Sequence, residues 1–329
     1  MEDPSRLGEP RRKKDFIMRT VSLEELLEAG CHFGHQVSRQ NPKARDFIFE
    51  ARDNIHIIDL EKTKEGLEEG AKFVQALAKR GGTLLVLATK RQALGILNEE
   101  LKRAEDSSSG TGLFFVDKRW IGGTLTNFAE VAKNYKKLKD LSYRLQDENE
   151  KAGFTKKEVG EWEKNRLKLE SFYGGIAEMT KKPDALFIID THLEHVAVIE
   201  ALKSGVPTVG ITDTNADPTI IDYPIPANDD AVGSLKLIIN YIFDAWIEGR
   251  KAFEKGKKEE EEKKAKDLPA GRQGESQKPP SSEVINPDAH TGRGPIRNTS
   301  EVKESKAEAP KQKETVAKKK PTAKKAKKQ

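Results

Sequence analysis

Five polar residues of this 329-residue chain follow apolar runs, at the places where strands would end. They are Asp59, Thr89, Asp117, Asp190 and Asp213. Open α/β sheets bind ligands at the carboxyl ends of their strands, and Asp190 with Asp213 would suit Mg²⁺ binding or acid–base catalysis. The same carboxylates would equally cap the following helices, and the sequence has none of the usual phosphate-loop or nucleophile motifs. We predict no catalytic residue and no cofactor, with a magnesium-dependent α/β enzyme as the alternative.

A second cluster brings together three potential metal ligands, Cys31, His32 and His35. His192 and His195 follow much later, and a zinc site would form if the two segments met. Neither spacing is a complete ligand pattern, and metal-free hydrogen bonds are the commoner role of histidine, so we predict no metal site. Cys31 is the only cysteine, which excludes a disulfide framework and is typical of a reducing, cytoplasmic setting.

Basic residues form a third set, clustered beside predicted strand ends and on one predicted helix. Clustered cations favour binding of a polyanion, although any single cluster would also fit an ordinary solvated surface. The side chains that we predict to contact phosphates are Arg39, Lys43, Lys90, Arg91, Lys118, Arg119, Lys133, Lys136 and Lys137. Trp120 would either stack on a base or anchor its loop in the core, and we favour the core.

The elements that must position these residues alternate between apolar runs and helical periodicity. Runs such as Thr83–Ala88, Leu113–Val116 and Ala185–Ile189 are typical of strands buried on both faces of a parallel sheet. A short strand over 55–58 precedes them, and a last helix is predicted over 229–249. The mixed charge block Lys257–Lys266 would extend this helix if it too is helical. This alternation predicts an α/β domain with a central parallel sheet flanked by helices and right-handed crossovers.

The alternation stops between residues about 125 and 182, where leucines and aromatic residues recur at helical spacing. Thr155 and Glu158 form a capping-box sequence directly after the turn residue Gly153. The segment therefore predicts an inserted antiparallel pair of helices. Its narrow apolar stripe and charged outer faces are typical of a coiled-coil arm that projects from the domain.

The charge is distributed unevenly along the chain, whose net charge is +5. Residues 1–250 contain 37 basic and 41 acidic side chains, whereas residues 251–329 contain 22 and 13. We predict a flexible extension over 1–20, a folded domain over 21–250, and a charged, largely disordered, lysine-rich tail over 251–329 that attracts phosphates. Apolar runs fall short of the ~18 residues that cross a bilayer, so no membrane partner is expected.

Several motifs together resemble one protein family. They are, in chain order, LEELLEAGCHFG from Leu23, HQ at 35–36 with NPK at 41–43, TKRQA from Thr89, DKRWIGGTLTNF from Asp117, the segment Pro183–Pro207 and GITDTNAD from Gly210. Their sequences and order are similar to those of the bacterial family of small-subunit ribosomal protein two, over about residues 20–250.

The resemblance implies a Rossmann-like or flavodoxin-like domain with an inserted coiled-coil hairpin, and a non-catalytic constituent of the small (30S) ribosomal subunit. Such a protein would bind 16S ribosomal RNA at the junction of head and body on the solvent side. Its other partners would be neighbouring ribosomal proteins, including ribosomal protein S-one, whose docking it would support. It would be cytoplasmic, on the ribosome, without a small-molecule substrate, and its strand-end aspartates would be architectural.

Overall fold

A computed structural model describes the protein over residues 19–107 and 111–266. The residues outside the described part of the chain are 1–18, 108–110 and 267–329. The predicted extension over 1–20 therefore lies almost wholly outside the described residues, and so does the predicted tail from residue 267 onward.

Eight strands and eight α-helices occur in the described part of the chain. The strands are β1 Phe33–Gln36, β2 Ile48–Arg52, β3 Ile55–Ile58, β4 Leu84–Leu87, β5 Leu113–Val116, β6 Ala185–Ile188, β7 Thr208–Thr212 and β8 Tyr223–Pro226. The helices are α1 Leu23–Glu28, α2 Leu60–Lys79, α3 Arg91–Asp106, α4 Phe128–Gln146, α5 Glu148–Ala152, α6 Lys156–Tyr173, α7 His195–Ser204 and α8 Val232–Lys266.

The central sheet is parallel, with the strand order β5-β4-β6-β7-β8. All residues of its three inner strands, β4, β6 and β7, are buried. Alternate residues point to opposite faces: Leu84 and Val86 join a core with α2, α3 and α8, whereas Leu85 and Leu87 join a core with α4 and α7. Helices therefore cover both faces, which confirms the predicted α/β fold.

The strand predicted over 55–58 is present as β3, but it belongs to a separate antiparallel sheet of order β1-β3-β2. The parallel sheet instead gains β8, which the apolar pattern does not indicate because Pro224 and Pro226 interrupt it. Proline removes a backbone donor and is tolerated on an edge strand, and β8 pairs with β7 alone.

A helical hairpin interrupts the sheet between β5 and β6. α4 packs against α6, and the short α5 lies at the turn between them. The predicted capping box is present, since Thr155 Oγ1 accepts from the Glu158 amide while the Glu158 carboxylate accepts from the Thr155 amide at 2.9 Å. Val131 and Tyr135 at the base of the hairpin are buried in the core of the domain, whereas Tyr143 farther along α4 is 68% exposed.

α8 continues past the end of the last helix predicted over 229–249. The sequence also leaves open that the mixed charge block Lys257–Lys266 extends this helix, and the helix does continue to Lys266. Its first half buries Trp246 completely, because that half packs against α2 and α3. Lys257, Lys258 and Glu259 are exposed. Composition alone does not distinguish a mixed charge segment in an exposed helix from one in an irregular tail.

Candidate nucleic-acid interface

The carboxyl edge of the parallel sheet collects six of the nine basic side chains predicted to contact phosphates. They are Arg39, Lys43, Lys90, Arg91, Lys118 and Arg119. In the sheet β5 lies on one side of β4, and β6, the next strand in the chain, lies on the other side. The direction in which strands are added therefore reverses between β4 and β6. A crevice opens at such a point in an open α/β sheet, and it is the usual place for a ligand.

Lys90 lies in this crevice, and it is enclosed by acidic side chains. Its Nζ lies 2.9 Å from Asp190 Oδ2, 2.9 Å from Asp229 Oδ1 and 2.8 Å from Asp230 Oδ1, and its side chain is only 14% exposed. Burial lowers the pKa of Lys90, but the carboxylates, first that of Asp229, outweigh burial and raise it. Lys90 thus ties together the loops after β4, β6 and β8, and its ammonium has little capacity left for a phosphate.

His35 forms a second buried contact at the same edge. Its Nδ1 lies 3.0 Å from Asp213 Oδ2, and its backbone amide donates to Asp213 Oδ1 at 3.2 Å. The hydrogen bond with Asp213 raises the pKa of His35. Burial, reinforced by the nearby carboxylates of Asp190 and Asp213, raises the pKa of Asp229 to about 7. Among the described residues, one ligand atom each from His35, Asp213 and Asp229 lies within 4.8 Å of the others, so the three have the geometry to hold one cation.

The other residues of the predicted Cys/His cluster do not join this group. The Cys31 side chain is fully buried in the core, and burial raises the pKa of its thiol. His32 packs against the ring of Phe33 with 4.0 Å between ring centroids. His192 and His195 are exposed near the start of α7. Within the described residues the two segments therefore do not form a zinc site.

The loop between β5 and α4 carries an accessible basic pair. Lys118 and Arg119 are exposed, and within the described residues neither makes an ion pair or hydrogen bond. Trp120, the next residue, is 6% exposed and its indole Nε1 donates to Glu200 Oε1 at 3.2 Å. The preference for Trp120 as an anchor in the core is thus confirmed, and the anchor turns the preceding cations outward.

Three further side chains border the crevice. Arg39 is exposed and lines an open cavity of about 500 Å³ together with Asp190 and Asn215. Lys43 is half exposed, and its Nζ donates to Asp217 Oδ2 at 2.7 Å. Arg91 is exposed at the first position of α3. Arg39 and Arg91 are accessible as they stand, whereas Lys43 would have to share its charge with Asp217.

The three predicted lysines of the hairpin lie on the outer face of α4. Lys133, Lys136 and Lys137 are exposed, while Val131 and Tyr135 on the opposite face are buried. Lys133 is paired with Glu130 at 2.7 Å. Lys136 and Lys137 make no ion pair with another described residue, so they extend the accessible positive charge from the sheet edge along the hairpin.

Three of the four strand-end aspartates, Asp59, Asp190 and Asp213, have structural partners. Asp59 caps α2, with its Oδ1 accepting from the Glu61 amide at 3.0 Å. Asp190 Oδ1 accepts from the Leu193 amide at 2.8 Å, and its other oxygen pairs with Lys90. Asp59 thus caps its helix as the capping interpretation predicts, whereas Asp190 and Asp213 hold Lys90 and His35, which that interpretation does not predict.

Sequence reasoning missed Glu200, Asp229 and Asp230. Glu200 sits in the middle of a helix, where a carboxylate is ordinarily solvated, so its burial leaves no local signal. The paired aspartates follow β8, the strand that its prolines concealed. Their adjacency in the sequence is the one available sign, and it does not reveal Lys90 as their partner.

Of the helices in residues 19–107 and 111–266, none is long and apolar enough to span a membrane.

A comparison with known protein families matches most of this chain. The family model described as ribosomal protein S2 matches residues 26–249. The match begins in α1 and ends in α8, so it includes both sheets, the hairpin and every basic side chain considered above.

Proposed function

Because the chain belongs to the ribosomal protein S2 family, and so is a structural protein associated with the small ribosomal subunit and its RNA, we propose that the carboxyl edge of its parallel sheet binds 16S ribosomal RNA. The binding place on the subunit would be the junction of head and body on the solvent side, in the cytoplasm. The family's role is structural, which favours this function over the magnesium-dependent enzyme.

The contacts would be mainly to phosphates. Double-helical RNA hides its base edges in a deep, narrow groove, so proteins recognise it through its backbone and shape. The proposed contacts are Arg39, Lys43, Arg91, Lys118, Arg119, Lys133, Lys136 and Lys137. Lys90 is assigned to holding the edge together, because its three carboxylate partners already neutralise its charge.

One observation carries the proposal: the loop after β5 exposes Lys118 and Arg119 without an internal ion pair, beside the crevice of the sheet. The experiment compares Lys118→Gln/Arg119→Gln with Lys79→Gln/Arg80→Gln. The latter pair is also exposed and adjacent, but it ends α2 near the opposite, amino edge of the sheet.

Binding of the whole protein to a 16S ribosomal RNA transcript is measured at several salt concentrations. Each phosphate contact contributes roughly 0.7–0.9 to the slope of log affinity against log salt. We expect the variant at 118–119 to bind more weakly and with a slope lower by about 1.5, and the variant at 79–80 to behave as wild type. Equal behaviour of the two variants would contradict the proposed edge.

We further propose that the protein supports docking of ribosomal protein S-one through its antiparallel sheet. Phe49 on β2 is 71% exposed and Phe33 on β1 is 50% exposed, and exposed aromatic side chains suit a protein interface. Phe49→Ser should weaken capture of ribosomal protein S-one by small subunits containing this protein, while Tyr143→Ser, a similarly exposed aromatic position on the hairpin, should not. Unchanged capture by the first variant would refute this assignment.

The lysine-rich segment 311–329 would add phosphate affinity of low specificity. It contains nine lysines and one glutamate, and lysines bound near a polyanion release its counterions. This segment lies outside the described residues.

A further inference from the structure

Glu200 is a buried carboxylate in the middle of α7, and it faces the loop that carries Lys118 and Arg119. The residue is 7% exposed. Its Oε1 accepts from Trp120 Nε1 at 3.2 Å and from the Gly123 amide at 2.7 Å. Its Oε2 accepts from the amides of Leu125 and Thr126 at 3.2 and 3.4 Å and from Thr126 Oγ1 at 3.2 Å.

One side chain therefore accepts five hydrogen bonds from a loop that lies about eighty positions earlier in the sequence. Backbone amides that converge in this way form a concave anion-binding site, and here the anion is supplied by the protein itself. Gly123 has φ +92°, a conformation that favours glycine and that turns its amide toward the carboxylate.

The charge state of Glu200 suits this role. Burial raises the pKa of Glu200, but the amides of Gly123 and Leu125 and the indole of Trp120 outweigh burial and lower it. The carboxylate is thus ionised at neutral pH, and ionised acceptors form the stronger hydrogen bonds. The loop is also anchored by the buried side chains of Trp120 and Leu125, whereas Lys118 and Arg119 make no hydrogen bond or ion pair with another described residue.

We propose that Glu200 is a positioning residue for RNA binding, which fixes the loop over residues 120–126 so that Lys118 and Arg119 are presented together at the sheet edge. The inference rests on the proposed function of that edge. A fixed loop binds without the loss of conformational entropy that ordering a mobile loop would require. Glu200 itself is not expected to touch RNA, since it is buried on the inner side of the loop.

Glu200→Gln tests this role with little change of volume. Either orientation of the amide leaves its NH₂ group facing hydrogen-bond donors of the loop, so one half of the loop loses its acceptor. The assay is binding of the full chain to the 16S ribosomal RNA transcript over a salt series. We expect Glu200→Gln to lower the salt slope toward that of Lys118→Gln/Arg119→Gln, by about one unit or more. Adding Glu200→Gln to that double variant should cause no further decrease, because the contacts it positions are already removed.

Asp184→Asn is the matched control. Asp184 Oδ2 likewise accepts from a backbone amide and a hydroxyl, both of Thr83 at 2.8 Å, but at the amino edge of the sheet. This variant should lose some stability and keep the wild-type slope. A general loss of stability would affect both variants alike, whereas loss of positioning affects only Glu200→Gln.

Trp120→Phe provides a second, milder variant if Glu200→Gln folds poorly, since it removes one donor and keeps the buried ring. We expect a smaller decrease of slope and faster amide exchange at Gly123 and Leu125. A wild-type slope in both variants, beside a lowered slope in Lys118→Gln/Arg119→Gln, would overturn the positioning role alone. If the RNA affinity of the wild-type protein does not depend on salt concentration, both the proposed function and the positioning role are overturned.

Discussion

Replacing Lys90 by methionine removes a buried cation while preserving most of its volume. Lys90 neutralises two buried carboxylates, Asp190 and Asp229, whose side chains are 8% and 2% exposed. Breaking a buried ion pair by removing one partner costs about 3–5 kcal/mol. Its third partner, Asp230, is 59% exposed and adds about 0–1 kcal/mol. We therefore expect Lys90→Met to lower the free energy of unfolding by about 3–5 kcal/mol at neutral pH.

The loss should depend on pH, because a carboxyl group without its cation escapes part of the cost by binding a proton. The pKa of Asp229 is already raised to about 7, mainly by burial, and removal of Lys90 raises it further. A carboxyl with a raised pKa in the folded protein is stabilising at low pH, and that stabilisation is lost as the pH rises through the folded pKa. The destabilisation by Lys90→Met should thus grow between pH 6 and 8, by up to about 1.4 kcal/mol per pH unit from Asp229.

Urea unfolding followed by circular dichroism at pH 6 and pH 8 measures both effects. Lys43→Met is the matched control, because Lys43 is half exposed and has one carboxylate partner, Asp217, so its loss should cost about 0–1 kcal/mol. Adding Asp229→Asn should recover part of the stability lost in Lys90→Met, since it removes the unpaired buried charge. A pH-independent loss below about 1 kcal/mol for Lys90→Met would refute the account of a buried charge cluster.

Three further outcomes are expected. In a ¹⁵N NMR titration the pKa of the His35 imidazole should lie above its usual value of 6.5 and return toward that value in Asp213→Asn. The contribution of His35 to stability should be present below pH 6.5 and lost as the pH rises through the raised pKa. A pKa at or below 6.5 in the wild-type protein would contradict the contact with Asp213. Thr155→Ala should lower stability by about 1 kcal/mol in thermal unfolding through loss of the helix cap, with the RNA salt slope unchanged. Deleting residues 310–329 should leave sedimentation with small subunits at moderate salt intact but lower the salt slope, and an unchanged slope would exclude phosphate binding by the tail.

Most helices and inner strands follow from local pattern. The run at 83–88 contains β4, because a strand buried on both faces must be apolar at every position. The Thr155–Glu158 capping box correctly predicts the start of α6 for an equally local reason. The sequence predicts β8 and the partners of β3 poorly, since proline masks the first and pairing between distant segments determines the second.

In the candidate interface, too, the sequence identifies the basic residues, whereas the fold determines which of them are accessible. Lys90 and Arg91 are neighbours and equally basic in the sequence, yet Lys90 is held by three carboxylates while Arg91 is exposed. Trp120 gives a second example, because the sequence does not show that its indole lies in the core and donates a hydrogen bond to Glu200. Which cations remain accessible thus depends on loops that approach each other only in the folded chain.

The sequence by itself determined the family, the alternation of strands and helices, the inserted hairpin and the set of basic residues, because each depends on spacing within a short segment. The tertiary structure decided which of those residues face solvent and which hold the protein together. The physical reason is that a charge is available to a partner only when no nearer opposite charge neutralises it. For Lys90, the neutralising charges come from Asp190, Asp229 and Asp230, which the parallel sheet brings to the same edge.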